Sequence, residues 1–202
     1  MPENLPKITA DAPLILASGS AYRAELLRRL PLPFTAHPAD IDETTLPGET
    51  PQARAARLAD GKAAALSKQF PHQWILGSDQ VAALGEQQLG KPGTAARAQE
   101  QLRRMRGQRV DFWTAATLLQ PHSGERFRLM DHTQVRLRPL SDAEIERYVA
   151  LESPLDCAGS FKVEGAGICL FDAIESSDPT ALIGLPLIGL SQLLRRAGAQ
   201  LP

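Results

Sequence analysis

Short apolar runs alternate with longer amphipathic segments along the first half of the chain. The run Leu14–Ala17 predicts a buried strand, and leucines at helical spacing follow it up to Leu30. A second strand is predicted over residues 34–37. Alanine and leucine then recur on one face of a predicted helix over residues 51–68. This order of strand, helix, strand and helix is typical of an α/β protein.

The centre of the chain continues the pattern. The run 74–81 predicts a buried strand that continues to Leu84 and turns at Gly85 and Glu86. The chain then returns to the corner Gly90-Lys91-Pro92 as a short hairpin. A helix is predicted to follow over residues 95–105, and its arginines most simply form a solvated face.

Longer strands are predicted in the second half. Residues 110–119 and 126–137 have the composition of two strands joined by a hairpin loop, which would form a long two-stranded arm. The segment Ser141–Glu144 has the form of a capping box and opens another helix. A glycine-rich loop over residues 157–167 then leads into a strand predicted over 168–171.

The chain is predicted to end in a helix whose first turn contains Pro186. Together these elements predict an α/β fold with flanking helices, a β-arm and two lobes around a cleft. We expect one domain over residues 13–202. A flexible extension is expected to precede it over residues 1–12, where the sequence has two prolines and no long apolar segment.

Composition narrows the class of protein. The 202 residues carry 22 Lys and Arg against 23 Asp and Glu, for a net charge of −1. General nucleic-acid binders normally have a strong basic excess, so this balance argues against one. The sequence has no run suited to a bilayer or a signal peptide, and Cys157 and Cys169 do not form a disulfide framework. We therefore expect a cytoplasmic protein that contacts neither nucleic acid nor a membrane.

Asp79 is the first candidate for chemistry. It stands where an apolar strand ends in Gly77-Ser78-Asp79, and strands of α/β sheets often deliver functional groups to such an edge. The simpler interpretation is an aspartate that closes a turn. Other polar groups must converge on Asp79 for the functional interpretation to hold.

The small loop after the first strand is a candidate anion site. Ser18, Gly19 and Ser20 place backbone amides and hydroxyls at the start of a helix, and Arg23 adds a fixed positive charge about one turn later. The arrangement predicts a phosphate site. The alternative is that the serines serve only as helix N-caps.

An acidic cluster and a lysine follow. The segment Asp40–Glu43 offers three carboxylates, and magnesium or manganese bound to phosphates needs only one or two of them. A solvated acidic loop is the alternative.

Lys62 lies within the apolar stripe of its predicted helix. It would be either a ligand or a residue that extends its charge to the solvent at the rim of the helix.

Two further features concern the loop over residues 157–167 and the histidines. Lys162 and Glu164 stand in this loop among small residues, a composition suited to wrapping a ligand closely. The histidines stand singly, without the spacing of a metal site or a catalytic triad. They are His37, His72, His122 and His132.

Seven short motifs, taken in their order and spacing, resemble the Maf family of nucleoside triphosphate pyrophosphatases. The motifs are Ala17–Arg23, Asp40–Glu43, Lys62-Ala63, Gly77–Gln80, Gly90–Pro92, Gly159–Gly165 and Gly184–Pro186. The resemblance covers nearly the whole chain. It implies a mixed sheet of the Maf and ITPase type, a magnesium or manganese cofactor, and a homodimer. The implied reaction cleaves a nucleoside triphosphate between its α- and β-phosphates.

The resemblance also implies roles for individual residues. Asp79 matches the family's catalytic proton acceptor, and Glu43 matches its metal-associated acid. The other polar positions are expected to contact the triphosphate: Arg23, Lys62 and Lys91 in catalysis, and Ser18, Ser20 and Lys162 in phosphate binding.

Two positions depart from the family's pattern. Gly61 stands where the family often has a glutamate, and Asp40 opens the acidic cluster in place of the commoner glutamate. Both lie beside matched residues, so they bear on the fine geometry of the site more than on the reaction.

Tyr22, Gln80 and Glu164 stand at the family's three specificity positions, and this set resembles the branch that acts on 7-methyl-GTP. Methylated guanine is cationic, so Tyr22 is expected to stack on it. Glu164 is expected to accept hydrogen bonds from N1–H and the exocyclic amine, and Gln80 to donate to O6. The simpler interpretation is that Tyr22 packs on the first helix and Glu164 is solvated. Tryptophan is the commoner aromatic here, which implies weaker stacking and looser selectivity.

Two other functions stay open from the sequence. One is a pyrophosphatase of the same family that acts on dTTP or UTP, although that branch tends to have other residues at the three specificity positions. The other is a regulator, for example of cell division, that binds a nucleotide without turnover. For the 7-methyl-GTP branch, the resemblance implies a role in keeping modified nucleotides out of nucleic acids.

Overall fold

A seven-stranded mixed sheet is the frame of the structure, a computed structural model that describes residues 6–202. The strands are β1 Leu14–Ala17, β2 Phe34–Ala36, β3 Ile75–Leu84, β4 Gln87–Leu89, β5 Arg109–Gln120, β6 Glu125–Leu137 and β7 Phe171–Glu175. The α-helices are α1 Ala21–Leu27, α2 Pro51–Ala65, α3 Ala95–Met105, α4 Asp142–Glu152 and α5 Leu187–Arg196. Short 3₁₀ helices lie at Ala166–Leu170 and Ala181–Ile183.

The strand order is β2-β1-β3-β5-β6-β7, and β4 pairs separately with β3. The pairs of β1 with β2 and with β3 are parallel, and the other pairs are antiparallel. This confirms the predicted mixed α/β fold. The predicted two-stranded arm is present as the β5–β6 hairpin. It does not project from the sheet, because β5 also pairs with β3 and β6 also pairs with β7.

Two hydrophobic clusters lie on one face of the sheet, towards opposite ends of its long strands. The first, which we call the β1 cluster, includes Leu16, Leu76 and Leu190. The second, the α3 cluster, includes Leu102 and Phe112. Each cluster is covered by its own helices, α1 and α5 over the first and α3 and α4 over the second. The two clusters are the cores of the two lobes that the sequence predicted.

Helix α2 covers the opposite face of the sheet and approaches β3 very closely. A Cβ atom at Gly77 would lie 2.1 Å from the Ala59 carbonyl oxygen and 2.7 Å from the Ala63 nitrogen. The alanines of α2 pack against the same side of the sheet beside Val81. Since side chains alternate along a strand, Asp79 shares this side with Gly77, whereas Gln80 points to the other side.

Side-chain caps fix where several helices begin. Thr50 and Thr94 accept hydrogen bonds at the starts of α2 and α3. The predicted capping box at α4 is present, because Ser141 Oγ accepts from the Glu144 amide and the Glu144 carboxylate accepts from the Ser141 amide. The capping box explains why the start of α4 was readable from the sequence.

Some predicted bounds were wrong. The strand predicted over residues 168–171 is mostly the 3₁₀ helix Ala166–Leu170, and β7 begins only at Phe171. Short apolar runs do not distinguish a strand from a helical turn, which is the reason for the error. The helix predicted to extend to residue 68 ends at Ala65, and Pro186 precedes α5 as its N-cap.

Part of the predicted flexible extension, residues 1–5, lies outside the described residues. Residues 6–12 contain no helix or strand, but they lie against the domain. The Trp74 indole donates a 2.8 Å hydrogen bond to the Pro6 carbonyl, and Ile8 packs on the β1 cluster. Within residues 6–202, none of the helices has the length and apolar character needed to cross a membrane.

Candidate active site

A cavity of about 670 Å³ opens between the two lobes. Its lining comes from the loop after β1, from residues of the segment 38–43, from α2, β3, β5 and the corner after β4, and from residues of the segments 156–164 and 182–184. The cavity therefore collects residues from both ends of the chain. Its volume lies within the range of typical small-molecule sites.

The loop after β1 is fixed by its own hydroxyls. Ser20 Oγ caps α1 by accepting from the Arg23 amide at 3.4 Å, and Ser18 Oγ accepts from the Ser20 amide at 3.1 Å. Ser20 is thus an N-cap, as the simpler interpretation held. Both serines also line the cavity, so capping does not exclude contact with a phosphate.

Arg23 is held from across the fold. Its Nε donates to the Gly184 carbonyl at 3.0 Å, and Nη1 lies 3.5 Å from Ser18 Oγ. Burial lowers the pKa of the Arg23 guanidinium, while the nearby carboxylates of Asp79 and Glu43 act in the opposite direction. The side chain is therefore a half-buried, charged donor, and an anionic ligand would compensate for the hydration that its guanidinium has lost.

Lys62 joins the two acids. Its Nζ lies 2.7 Å from Asp79 Oδ1 and 2.7 Å from Glu43 Oε1. Lys62 is 7% exposed and Asp79 is 7% exposed. Lys62 is accordingly a buried partner of both carboxylates and not a rim residue, and Asp79 does more than close a turn.

Glu43 is the most exposed member of the group formed with Lys62 and Asp79, and its side chain is 53% exposed. Burial works against its ionisation, but the hydrogen bond and charge of Lys62, together with Lys91 and Arg23, lower the pKa of Glu43 below its ordinary value. Glu43 is therefore ionised at neutral pH and faces three cations. Of the acidic cluster, Glu43 is the member that lines the cavity.

Lys91 lines the cavity from the exposed corner after β4. Its positive charge is among those that lower the pKa of Glu43. Lys162, in contrast, is not among the lining residues, because its Nζ donates to the Glu152 carbonyl at 3.0 Å at the end of α4. The structure brings Lys91 to the predicted phosphate site and leaves Lys162 outside it.

Arg54 is a cavity residue that the sequence analysis missed. Its Nη2 donates to the Glu43 carbonyl at 3.0 Å, and its Nη1 donates to Gln88 Oε1 at 2.7 Å on β4. It thereby ties the acidic segment to the sheet. Arg54, Leu58 and Lys62 all line the cavity, and their spacing of four residues along one helix is the signal that could have revealed Arg54.

The other end of the cavity is formed around Tyr22. Its hydroxyl lies 4.0 Å from Cys157 Sγ, and Asp156 and Glu164 line the cavity beside it. Burial raises the pKa of Tyr22, and the nearby Cys157, Asp156 and Glu164 raise it further. Burial likewise raises the pKa of Cys157 to about 11. Tyr22 and Cys157 are therefore neutral at physiological pH, and the charged residues that line this end, Asp156 and Glu164, are acidic.

Gln80 reaches the cavity from β3, but its amide group is already engaged. Nε2 lies 2.8 Å from the Ala181 carbonyl, 3.1 Å from the Leu182 carbonyl and 3.0 Å from Thr114 Oγ1. Carbonyl oxygens only accept, so the NH₂ end must face them. Gln80 therefore offers its oxygen to a ligand, and the donor role expected from the sequence is not available in this arrangement.

The cavity thus has two ends of opposite charge. At one end, four cationic side chains surround Asp79 and Glu43. These cations are Arg23, Arg54, Lys62 and Lys91. Asp156 and Glu164 lie beside Tyr22 at the other end. Such a site suits an elongated ligand with an anionic part and a flat part.

Comparison with known proteins agrees with this description. Residues 13–197 match the family described as "Maf-like protein", and the chain belongs to that family. A protein of Xanthomonas campestris pv. campestris named 7-methyl-GTP pyrophosphatase is 58% identical to this chain, covering 94% of it and 98% of the relative. A protein of the same name from Polaromonas sp. is 52% identical and covers 94% of this chain and 86% of its own length.

A more distant similarity exists to a solved structure, a HAM1 protein from Coxiella burnetii. The TM-score is 0.48 with 18% sequence identity, covering 91% of this chain and 96% of that chain. At this distance the similarity carries no information about the site.

Proposed function

We propose that this chain hydrolyses 7-methyl-GTP to 7-methyl-GMP and diphosphate. The observation that carries the proposal is the charge polarity of the cavity. Four cations line the end that contains Asp79 and Glu43, while Asp156 and Glu164 flank Tyr22 at the other end. A triphosphate attached to a cationic base is complementary to this distribution. The names of the close relatives support the same substrate.

A divalent cation fits the residues of the phosphate end. The Glu43 and Asp79 carboxylates each lie 2.7 Å from the same Lys62 Nζ, so their oxygens converge on one region. Within residues 6–202, no cluster of three or more His, Cys, Asp or Glu side chains forms a metal site. Magnesium or manganese held by Glu43 would therefore also use oxygens of the substrate phosphates, a common arrangement. When bound, the cation would neutralise charge on those phosphate oxygens.

Asp79 is proposed as the general base. Lys62 binds its Oδ1, which fixes the direction of the carboxylate and leaves Oδ2 for the attacking water. The water transfers its proton to Asp79 as its oxygen bonds to phosphorus, and diphosphate leaves. Arg23 and Lys91 stabilise the charge on the phosphate oxygens, with Arg23 oriented by the Gly184 carbonyl.

The base end is proposed to select the methylated guanine. Tyr22 offers an aromatic face for stacking on the cationic ring, with a cation–π gain of about 0.5–2 kcal/mol. The Glu164 carboxylate and Gln80 Oε1 are both acceptors, which suits the N1–H and exocyclic amine of guanine. Asp156 adds a second negative charge near Tyr22.

The proposal is tested with a nucleotide panel. The protein is assayed for diphosphate release from 7-methyl-GTP, GTP, dTTP and UTP, with magnesium or manganese and with a chelator. We expect the highest kcat/KM for 7-methyl-GTP, about 2- to 30-fold above GTP, as the cation–π gain implies. We also expect activity to disappear with the chelator.

Two results would contradict the proposal. A preference for dTTP or UTP would indicate the other substrate branch of the family. Tight nucleotide binding without diphosphate release would indicate a regulator.

A further inference from the structure

Gln101 on α3 links two segments that line opposite ends of the cavity. Its Oε1 accepts a 2.6 Å hydrogen bond from Ser160 Oγ, and its Nε2 donates to the Gly90 carbonyl at 3.0 Å. The amide orientation is determined chemically, because the Gly90 carbonyl can only accept. Neither Gln101 nor Ser160 lines the cavity.

The first of these segments carries Lys91. Its corner is exposed, but it is attached on both sides of the lysine. The Gly90 carbonyl is held by Gln101, and the Gly93 amide donates to the Leu155 carbonyl at 2.9 Å. Both attachments lead to the lobe that carries the base end of the cavity.

The second segment carries Glu164. Ser160 is fully buried and has a φ of 60°, an uncommon conformation for a residue other than glycine. Phe161 follows it and packs between Phe112 and Phe171, with ring centroids 5.3 Å and 4.8 Å away. Ser160 is thus a rigid anchor four residues before Glu164, and Gln101 connects that anchor to the corner of Lys91.

We propose that Gln101 is a positioning residue that sets the spacing between Lys91 and Glu164. The inference rests on the proposed function, since it assumes that Lys91 contacts phosphate and Glu164 contacts the base. A nucleotide engages both ends at once only when this spacing matches the separation of its base and its phosphates. Misplacement of a contacting group by about 1 Å can cost roughly a hundredfold in rate.

Two substitutions separate the two halves of the link. Gln101→Glu keeps an acceptor for Ser160 Oγ but has no donor for the Gly90 carbonyl, so it releases the corner alone. Ser160→Ala removes the other hydrogen bond and releases the anchor alone. Gln99→Glu is the matched control, because it makes the same change two residues away on the same helix.

The measurements are kcat/KM for 7-methyl-GTP, affinity for 7-methyl-GTP and for 7-methylguanosine, and the thermal unfolding midpoint. We expect Gln101→Glu and Ser160→Ala each to lower kcat/KM by about tenfold. The double variant is expected to have the same kcat/KM as the less active of the two single variants, because both substitutions break the same link. Gln101→Glu should keep wild-type affinity for the nucleoside, which does not reach Lys91, and should unfold at the same temperature as Gln99→Glu.

Wild-type kcat/KM in Gln101→Glu would overturn the proposal. An equal loss of affinity for nucleotide and nucleoside, accompanied by a lower unfolding midpoint, would also overturn it and indicate a purely structural role. If the wild-type protein prefers another nucleotide, the same variants are compared with that nucleotide and its nucleoside. If it hydrolyses none, the proposed function has failed, and the two affinities alone decide the role of Gln101.

Discussion

The two ends of the cavity are constructed differently. At the phosphate end, side chains bind one another directly, as Lys62 does with Asp79 and Glu43 at 2.7 Å. At the base end, side chains are positioned through the backbone, as Gln80 is by the Ala181 and Leu182 carbonyls. In the first arrangement, replacing any one of these side chains removes a direct contact of another. The second leaves an exposed residue such as Glu164 free to vary without disturbing its neighbours.

This difference suggests a division of labour. In the proposed reaction, charge neutralisation and proton transfer need a fixed constellation, and β3 and α2 hold Asp79 and Lys62 in one. Selection of the base needs only a few exchangeable contacts on a supported loop. Substitutions at the phosphate end should therefore reduce turnover of every nucleotide, whereas substitutions at the base end should change which nucleotide is preferred.

The largest effect is expected for Asp79→Asn. The amide keeps the size and polarity of the side chain but cannot accept the proton, so kcat should fall roughly 10²- to 10⁴-fold for every substrate. Nucleotide affinity should be largely retained. Steady-state kinetics and a binding titration check both parts. Asp172→Asn, on the exposed edge strand β7, is the control. A nearly wild-type kcat in Asp79→Asn would mean that another group is the general base.

A smaller effect is expected at Lys91, and Lys162 provides the contrast. Lys91→Ala removes a cation that faces the cavity, so triphosphate affinity and kcat/KM should fall roughly ten- to a hundredfold. Lys162→Ala should cost less, because Lys162 donates to the Glu152 carbonyl. Equal losses in the two variants would mean that Lys162 turns into the cavity when nucleotide binds. Arg103→Ala should leave kcat/KM unchanged, because Arg103 pairs with Asp142 and Glu146 of α4 and does not line the cavity.

Glu164→Gln tests the base end. The amide still accepts one hydrogen bond but carries no negative charge, so the preference for 7-methyl-GTP over GTP should fall roughly three- to tenfold. The kcat for GTP itself should hardly change. The ratio of kcat/KM for the two nucleotides is the measurement. A uniform loss for both nucleotides would place Glu164 in the catalytic group and remove the distinction between the two ends.

The smallest effect concerns the support of the acidic segment. Arg57 binds Glu49 at 2.6 Å and 2.7 Å, which lowers the pKa of Glu49 to about 2 from an ordinary value of 4.5. Because the folded state has the lower pKa, ionised Glu49 contributes stability above pH 4.5, and this contribution is lost as the pH falls towards 2. Glu49→Gln should therefore lower the unfolding midpoint at pH 7, and this difference should shrink as the pH falls from 4.5 towards 2.

Thermal unfolding at several pH values measures this effect. Glu25→Gln is the control, since Glu25 pairs with Arg28 at the surface, where both side chains are more than half exposed. A pH-independent difference between wild type and Glu49→Gln would mean that the ion pair with Arg57 is not its source.

The sequence predicted the placement of Asp79 and Lys62 better than that of Gln80 and Lys162, for a physical reason. Asp79 and Lys62 lie on regular elements, so strand alternation and helical periodicity place them. The amide orientation of Gln80 depends on carbonyls about a hundred residues away, and the direction of Lys162 depends on where α4 ends. No local pattern encodes such contacts. The same limit produced the error at 168–171, where an apolar run was taken for a strand.

The closeness of α2 and β3 at Gly77 has a consequence for anyone who wishes to re-engineer this protein. Lys62 lies on α2 and Asp79 lies two residues after Gly77, so the gap between helix and strand also sets the length of their ion pair. In a library randomised at position 77, even alanine would force the helix outward and separate the two groups. We expect such a library to return glycine alone, while the exposed position 164 yields many functional sequences with altered preferences.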